Sequence, residues 1–552
     1  MHRRLLRFLL AATAVVGMSL GLATGTGTTI AHAASWEPIS GTGSTWSQNA
    51  LDQWRRNVAT NYGMTINYSG EGSSAGRRNF ILQNTDFAVS EIPFQLKPED
   101  NSTPEQPTTG YAYMPIVAGG TAFMYNLKIG GKKVTNLRLS GETITKIFTG
   151  GITNWNDPVI VADNPGLAMP DKLITPVVRS DGSGSTAQFS LWMSKQHPAL
   201  WDAYCVSVGR SAPCGLTSQY PVSGNIKAQN GSLGVSGYVA QGYGEGAITY
   251  VEYSYALKSG FPVAKVLNNA GYYVEPTASS VAVALMQAQI NTTPTSPDYL
   301  TQILDRVYSS ADNRTYPLSS YSYMIVPTQV NKVFTAEKGK TLGSFANYML
   351  CEGQQQAGAL GYSPLPMNLV LAGFEQIKRI PGADVSGVNI NDCNNPTFKA
   401  GDSPTSNALA TSALSPAECD KKGPNQCTTG TAGAVDDTPT TGTGTSGSAT
   451  PEVAADGTPV AAAGGAAAVA TPGEAVVAGA APVYDANGAI VSGSAVASGS
   501  TLTAASSPFT LSDSGWGGQQ YVMLFAAILL LAAVIVPPVL SKRLKRSVDA
   551  PR

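Results

Sequence analysis

The chain has 552 residues, of which 35 are basic, 36 acidic and three histidine. A formal charge of −1 lacks the basic footprint of a nucleic-acid-binding protein. So few histidines argue against a multi-histidine metal site or a Ser-His-Asp triad.

In chain order, residues 1–33 read as a secretory signal peptide. Arg3, Arg4 and Arg7 precede an apolar run, and Ala31-His32-Ala33 forms the cleavage site. Removal of this segment takes His2 and His32 with it and leaves His197, which precedes Pro198 in a polar segment and is read as a surface or capping residue. Residues 34–400 have ordinary globular composition and are long for one core, which suggests two lobes. Strands are predicted at 64–68, 85–89 and 175–178. Helical patterns start at 77–82 and run through 187–192. Strand, small-residue turn, helix is the order of an α/β fold whose ligand sits at the strand ends.

Three clusters of small residues stand out: Gly41-Thr42-Gly43-Ser44-Thr45, Gly72-Ser73-Ser74-Ala75-Gly76 and Asp181-Gly182-Ser183-Gly184-Ser185-Thr186. Each leads into a helical pattern. Small residues let the backbone approach a ligand, and helix-start N–H groups favour an anion. With Arg179 just before the third cluster, the pattern points to one oxyanion gripped from several sides. Nucleotide loops fit less well. Gly339-Lys340-Thr341 resembles the end of a P-loop, but Phe334 occupies the place of its first glycine.

Beyond the globular part the composition changes. From 401 to 512 Ala, Gly, Thr, Ser and Pro dominate, and the stretch is read as a flexible stalk with a mean span of roughly 60 Å. Residues 521–540 are uncharged and long enough to span a bilayer, and Lys542, Arg543, Lys545 and Arg546 come directly after. The positive flank orients 541–552 as a cytoplasmic tail and everything before the helix as extracellular. An even set of six cysteines in an exported chain favours disulfides, preferably Cys205–Cys214, Cys351–Cys393 and Cys419–Cys427; zinc is the alternative, but no C-x-x-C spacing supports it.

Several segments together resemble the periplasmic phosphate-binding proteins of Pst-type ABC importers. They are Ile39-Ser40-Gly41-Thr42-Gly43-Ser44-Thr45-Trp46, Tyr68-Ser69-Gly70-Glu71-Gly72-Ser73-Ser74-Ala75-Gly76, Asp86-Phe87-Ala88-Val89-Ser90-Glu91 and Arg179-Ser180-Asp181-Gly182-Ser183-Gly184-Ser185. Supporting matches lie at 139–155, 246–253 and 360–366, so the resemblance covers about 38–370. It implies an α/β, two-lobe type II periplasmic-binding-protein fold, with lobe one at 34–118 and 318–400 and lobe two at 119–317. It also implies a phosphate site. Thr45 would donate its hydroxyl and N–H, Trp46 its N–H, Ser73 from the second loop, and Ser183, Gly184 and Ser185 from the third. Arg179 would be the charged donor, Asp181 its holder, and Glu91 the acceptor. The family has Asp in place of Glu91 and Thr in place of Ser185. The extra methylene of Glu91 must fold back or move the anion.

The expected function is therefore that of a membrane-anchored, monomeric phosphate-binding protein that hands inorganic phosphate to a membrane ABC permease and needs no cofactor or metal. The alternatives are an anchored oxyanion sensor, a surface adhesin, or an exported phosphatase. The last would need a metal cluster or an activated nucleophile.

Overall fold

The computed structural model describes residues 36–434 apart from Pro297, together with Val483–Tyr484 and Ile490–Val491. The expected signal peptide, membrane span and basic tail lie outside the described residues. The chain divides into two units, 1–481 and 482–552. In the second, Val483–Tyr484 pairs antiparallel with Ile490–Val491. The first unit contains the other described residues.

That unit starts with a β-α-β-α-β run. Strand β1 (Ile39–Gly43) is followed by helix α1 (Gln48–Tyr62), β2 (Ile66–Ser69), α2 (Ser73–Ile81) and β3 (Phe87–Ser90). β1 lies between β2 and β3, parallel to both. Helix α1 buries Ala50, Leu51, Trp54 and Val58, a stripe at helical spacing, and ends at Gly63 in the left-handed conformation. The helix expected from residue 77 in fact begins at Ser73, because the second small-residue cluster is itself its first turn.

Strand β4 (Tyr111–Tyr125) follows and is almost wholly buried. Next come β5 (Thr175–Arg179), α3 (Gly184–Gln196), β6 (Lys227–Gln229), α4 (Gly231–Ala240) and β7 (Ala247–Glu252). Helix α5 (Ala278–Leu285) precedes β8 (Ser319–Pro327). The main sheet has the order β2-β1-β3-β8-β4-β7-β5-β6. β4 pairs with β8 through Gly120 and with β7 from Thr121 onward.

The two largest hydrophobic clusters among the described residues follow from this topology. One draws on 39–118 and 321–398, with Val281 of α5, and includes Trp54, Phe87, Tyr323, Phe345 and Val370. The other draws on 123–318, including Phe148, Trp155, Phe189, Trp201 and Tyr250. Between them β4 carries Gly119 and Gly120. A Cβ at Gly119 would stand 2.8 Å from the Trp46 ring, and one at Gly120 would stand 2.5 Å from Pro276. The strand can pass from one half to the other only because these positions lack side chains.

The six cysteines form Cys205–Cys214, Cys351–Cys393 and Cys419–Cys427. One expectation is corrected. Residues 401–434, expected to begin a flexible stalk, pack onto the second core region. Helix α6 (Ala408–Ser412) sets Ala410 against Ala282 and Val283 of α5. Arg314 Nη1 donates to the carbonyls of Ala410 and Ala413, each at 3.1 Å. Arg138 Nη1 donates to those of Cys419 and Asn425, at 3.0 and 2.8 Å. Lys265 Nζ pairs with Asp420 at 2.8 Å. Thr431 Oγ1 donates to Val263 O at 2.6 Å. Composition misleads here because the segment holds itself with side chain–backbone bonds and a cross-link rather than with bulky apolar groups.

Asp420→Ala leaves the Lys265 ammonium, whose side chain is 10% exposed, without its counter-ion. We expect a loss of about 3 kcal/mol in denaturant unfolding. An unchanged midpoint would mean that this segment is not part of the cooperative unit.

Candidate functional site

The three small-residue clusters end at helix starts, and the fold turns those starts toward one another. On the first half, Ser44, Thr45 and Trp46 lie between β1 and α1, Ser73 opens α2, and Glu91 comes just after β3. On the second half, Arg179 ends β5, Ser183 caps α3 by accepting from Thr186 N at 3.2 Å, and Gly231 and Ser232 open α4.

Glu91 is 1% exposed. Its Oε1 accepts from the hydroxyls of Ser44 and Ser322, the latter at 2.9 Å. Its Oε2 accepts from Ser73 Oγ at 2.7 Å. Ser322 reaches this place from β8 at an irregularity in the β8–β4 register between Ser322 and Tyr323. Such a bulge re-aims a side chain that regular pleating would send elsewhere. The second half closes on the same point. Gly184 N donates to Ser73 Oγ at 3.1 Å, Gln188 Nε2 to Glu91 O at 2.8 Å, and Ser74 N to Gly182 O at 3.0 Å. A Cβ on Gly184 would fall 2.0 Å from Glu91 Oε2, so the long carboxylate requires glycine opposite it.

Arg179 is 3% exposed. Nε donates to Asp181 Oδ1 at 2.7 Å, Nη2 to Asp181 Oδ2, and Nη1 to Ser232 Oγ at 3.4 Å. Gly231 N also donates to Asp181 Oδ1, at 2.9 Å. Burial alone would raise the pKa of Asp181. The bonds and charge of Arg179, with the Gly231 N–H, outweigh it and hold the carboxyl below its ordinary range. Thr45 Oγ1 lies 2.9 Å from Ser232 Oγ and accepts from Ser232 N at 3.1 Å, a further bond between the halves.

Some of the expected donors are already engaged inside the chain. Trp46 N donates to Ser44 Oγ at 2.9 Å, and Ser183 N donates to Ser218 O at 2.9 Å. Ser185 Oγ is buried and has no protein partner. Thus Ser73, Glu91 and Gly184 are joined by direct bonds in one group, and Thr45, Arg179 and Asp181 are linked through Ser232 in a second. Ser44, Ser232 and Ser322 join them without having been singled out. Ser232 sits in Asn230-Gly231-Ser232, a strand-to-helix turn of the same kind as the others, and could have been found. Ser322 carries no local signal. His197 joins α3 to the helix Pro198–Ser207, with its ring 5.1 Å from that of Trp192.

Behind the site lie two further titratable groups. Tyr250 is pushed up to about 12 by burial; its hydroxyl lies 2.6 Å from Thr186 Oγ1 and accepts from Arg179 N at 3.3 Å. Glu252 ends β7 beside Gly119 and the Trp46 ring. Burial drives its pKa well up, and only its Oε2 finds a donor, Ser254 N at 2.8 Å.

Two α/β halves joined by paired strands, with helix starts from both meeting along a buried seam, define a type II periplasmic-binding-protein fold. A family model described as a PBP superfamily domain matches residues 23–352. The phosphate-binding protein PstS of Xylella fastidiosa is 34% identical over 335 residues, covering 60% of this chain and 82% of the relative. Phosphate-binding protein PstS 3 of Mycobacterium leprae is 30% identical over 332 residues, covering 59% and 83%. A solved high-affinity periplasmic phosphate-binding protein bound with phosphate aligns over 66% of this chain and 100% of its own, at 18% identity and a TM-score of 0.49. The chain belongs to the PstS-like phosphate-binding proteins of this superfamily.

The raised pKa of Glu252 has a definite sign. Unfolded, the group titrates near 4.3; folded, it holds its proton to higher pH. Its contribution to stability is therefore full below about 4.3 and is lost as the pH rises above that value. Glu252→Gln keeps the shape without the proton linkage. In urea unfolding from pH 5 to 8, the stability of the variant relative to wild type should rise with pH. A constant difference would place an ionised Glu252 in the folded state.

Proposed function

We propose that this protein captures inorganic phosphate outside the cytoplasm, in a cleft between two lobes, and delivers it to an ABC permease in the membrane. The lobes would be 34–118 with 318–400, and 119–317 with 401–434 added. They would close by a hinge motion about β4 and β8. Residues 521–540 would anchor the chain, with a shortened stalk between. It would act as a monomer and perform no covalent chemistry. The relatives that carry the name phosphate-binding protein support this reading.

The observation that supports it is that donors from both halves bond to one another across a buried seam. Ser73 Oγ meets Gly184 N, and Thr45 Oγ1 meets Ser232, beside the Arg179 guanidinium. We assign Thr45, Ser73, Arg179, Gly184 and the hydroxyls of Ser183 and Ser185 as donors to the anion. Trp46 belongs to the same loop, its N–H reaching the site through Ser44 Oγ. Asp181 holds Arg179.

Glu91 is the acceptor, and it selects among anions. Near neutral pH phosphate keeps at least one proton and can donate it to a carboxylate. Sulfate has none and would meet Glu91 charge against charge, at a cost of several kcal/mol. The three serine hydroxyls on Glu91 can turn as rotors, so its oxygens can exchange a serine donor for a phosphate proton.

Calorimetry on the full chain tests these assignments. Arg179→Ala should weaken phosphate binding at least tenfold, since a charge-assisted bond of about 1.5–3 kcal/mol is lost. Wild-type affinity in that variant would remove Arg179 from the site. Glu91→Gln should narrow the preference for phosphate over sulfate, and unchanged selectivity would reject its role as acceptor.

A further inference from the structure

Ser232 is a buried hydroxyl at the start of α4 that joins three elements of the site. Its backbone N–H and its Oγ both meet Thr45 Oγ1, on the opposite half, at 3.1 and 2.9 Å. The same Oγ accepts from Arg179 Nη1 at 3.4 Å. The hydroxyl of Tyr255, on the same half as Ser232, donates to Thr45 O.

A guanidinium has five N–H donors in a rigid fork. Asp181 takes Nε and one hydrogen of Nη2; Ser232 takes one of Nη1. Asp181 alone fixes one edge of the fork, while Ser232 holds the far arm. One N–H on each terminal nitrogen is left to point at an oxyanion. Because Ser232 also grips Thr45, closing the halves and orienting the fork become one event. Resting on the phosphate-binding reading, we propose that Ser232 is the positioning residue of the site: it latches the closed halves through Thr45 and aims Arg179 at the bound anion.

A latch acts on release more than on capture. The test tracks binding of inorganic phosphate to the full chain by tryptophan fluorescence, in equilibrium and stopped-flow form, for wild type, Ser232→Ala and Ser232→Thr. Ser232→Ala should bind about tenfold more weakly, equivalent to about 1.4 kcal/mol. The loss should lie in faster dissociation, with an association rate close to that of wild type. Ser232→Thr keeps the hydroxyl and should recover most of the affinity. The melting temperature without phosphate should stay near that of wild type in both variants; if Ser232→Ala melts below the assay temperature, Ser232→Gly carries the same comparison. Wild-type binding with an unchanged off-rate in Ser232→Ala, or failure of the threonine variant to recover affinity, would overturn this inference alone. A wild-type chain that binds no phosphate would overturn the parent reading and this one with it.

Discussion

The structure depends on making buried charge tolerable at a seam. A carboxylate and a guanidinium sit almost fully out of water where two halves meet. Unpaired, either would cost several kcal/mol. Glu91 is supplied by three hydroxyls, one from each of three separate segments of the first half. Arg179 is supplied by Asp181 and by Ser232. These partners are small, and small partners pack closely. That is why glycine recurs around them, at 184 opposite Glu91 and at 72, where a Cβ would stand 2.5 Å from Asp181 Oδ2. Four helix starts, those of α1 to α4, point at the seam because helix starts offer N–H groups in number without adding bulk.

The same economy shapes the join between the halves. β4 and β8 are hydrogen-bonded to each other where they cross, so the connection is a narrow ribbon rather than two loose linkers. A third crossing comes later in the chain. Thr397 Oγ1 donates to Leu365 O in the first half at 2.8 Å, and by Ala408 the chain lies against α5. From there to residue 434 the chain is fastened to the second half, through Arg314, Arg138, Lys265 and Val263.

Much of the fold is legible in residue patterns. Alternating strands and small-residue turns announce an α/β arrangement. Arg179 and Asp181, two apart at a strand end, can be recognised as a pair because both they and their turn are local. Glu91 is recognisable through its strand, but its partners are not: Ser322 reaches it from more than two hundred positions away, through a register shift between strands that no short window contains. Ser232 escapes notice because its turn has one glycine rather than several. The segment after residue 400 is misjudged for a different reason. Composition measures apolar content, and this stretch is held by Arg138, Arg314, Lys265 and a disulfide, which are sparse and distant in sequence.

The way the chain leaves the described body has a mechanical meaning. Its last fastenings, Thr431 N to Thr135 O at 3.1 Å and Ala432 N to Glu275 Oε1 at 2.7 Å, are both on the second half. Any load transmitted from downstream residues is therefore borne by that half. The chain runs between the halves through the narrow ribbon and the short crossing at 398–407, so under the proposed closure the first half would be the moving jaw of a vice whose fixed jaw takes the strain.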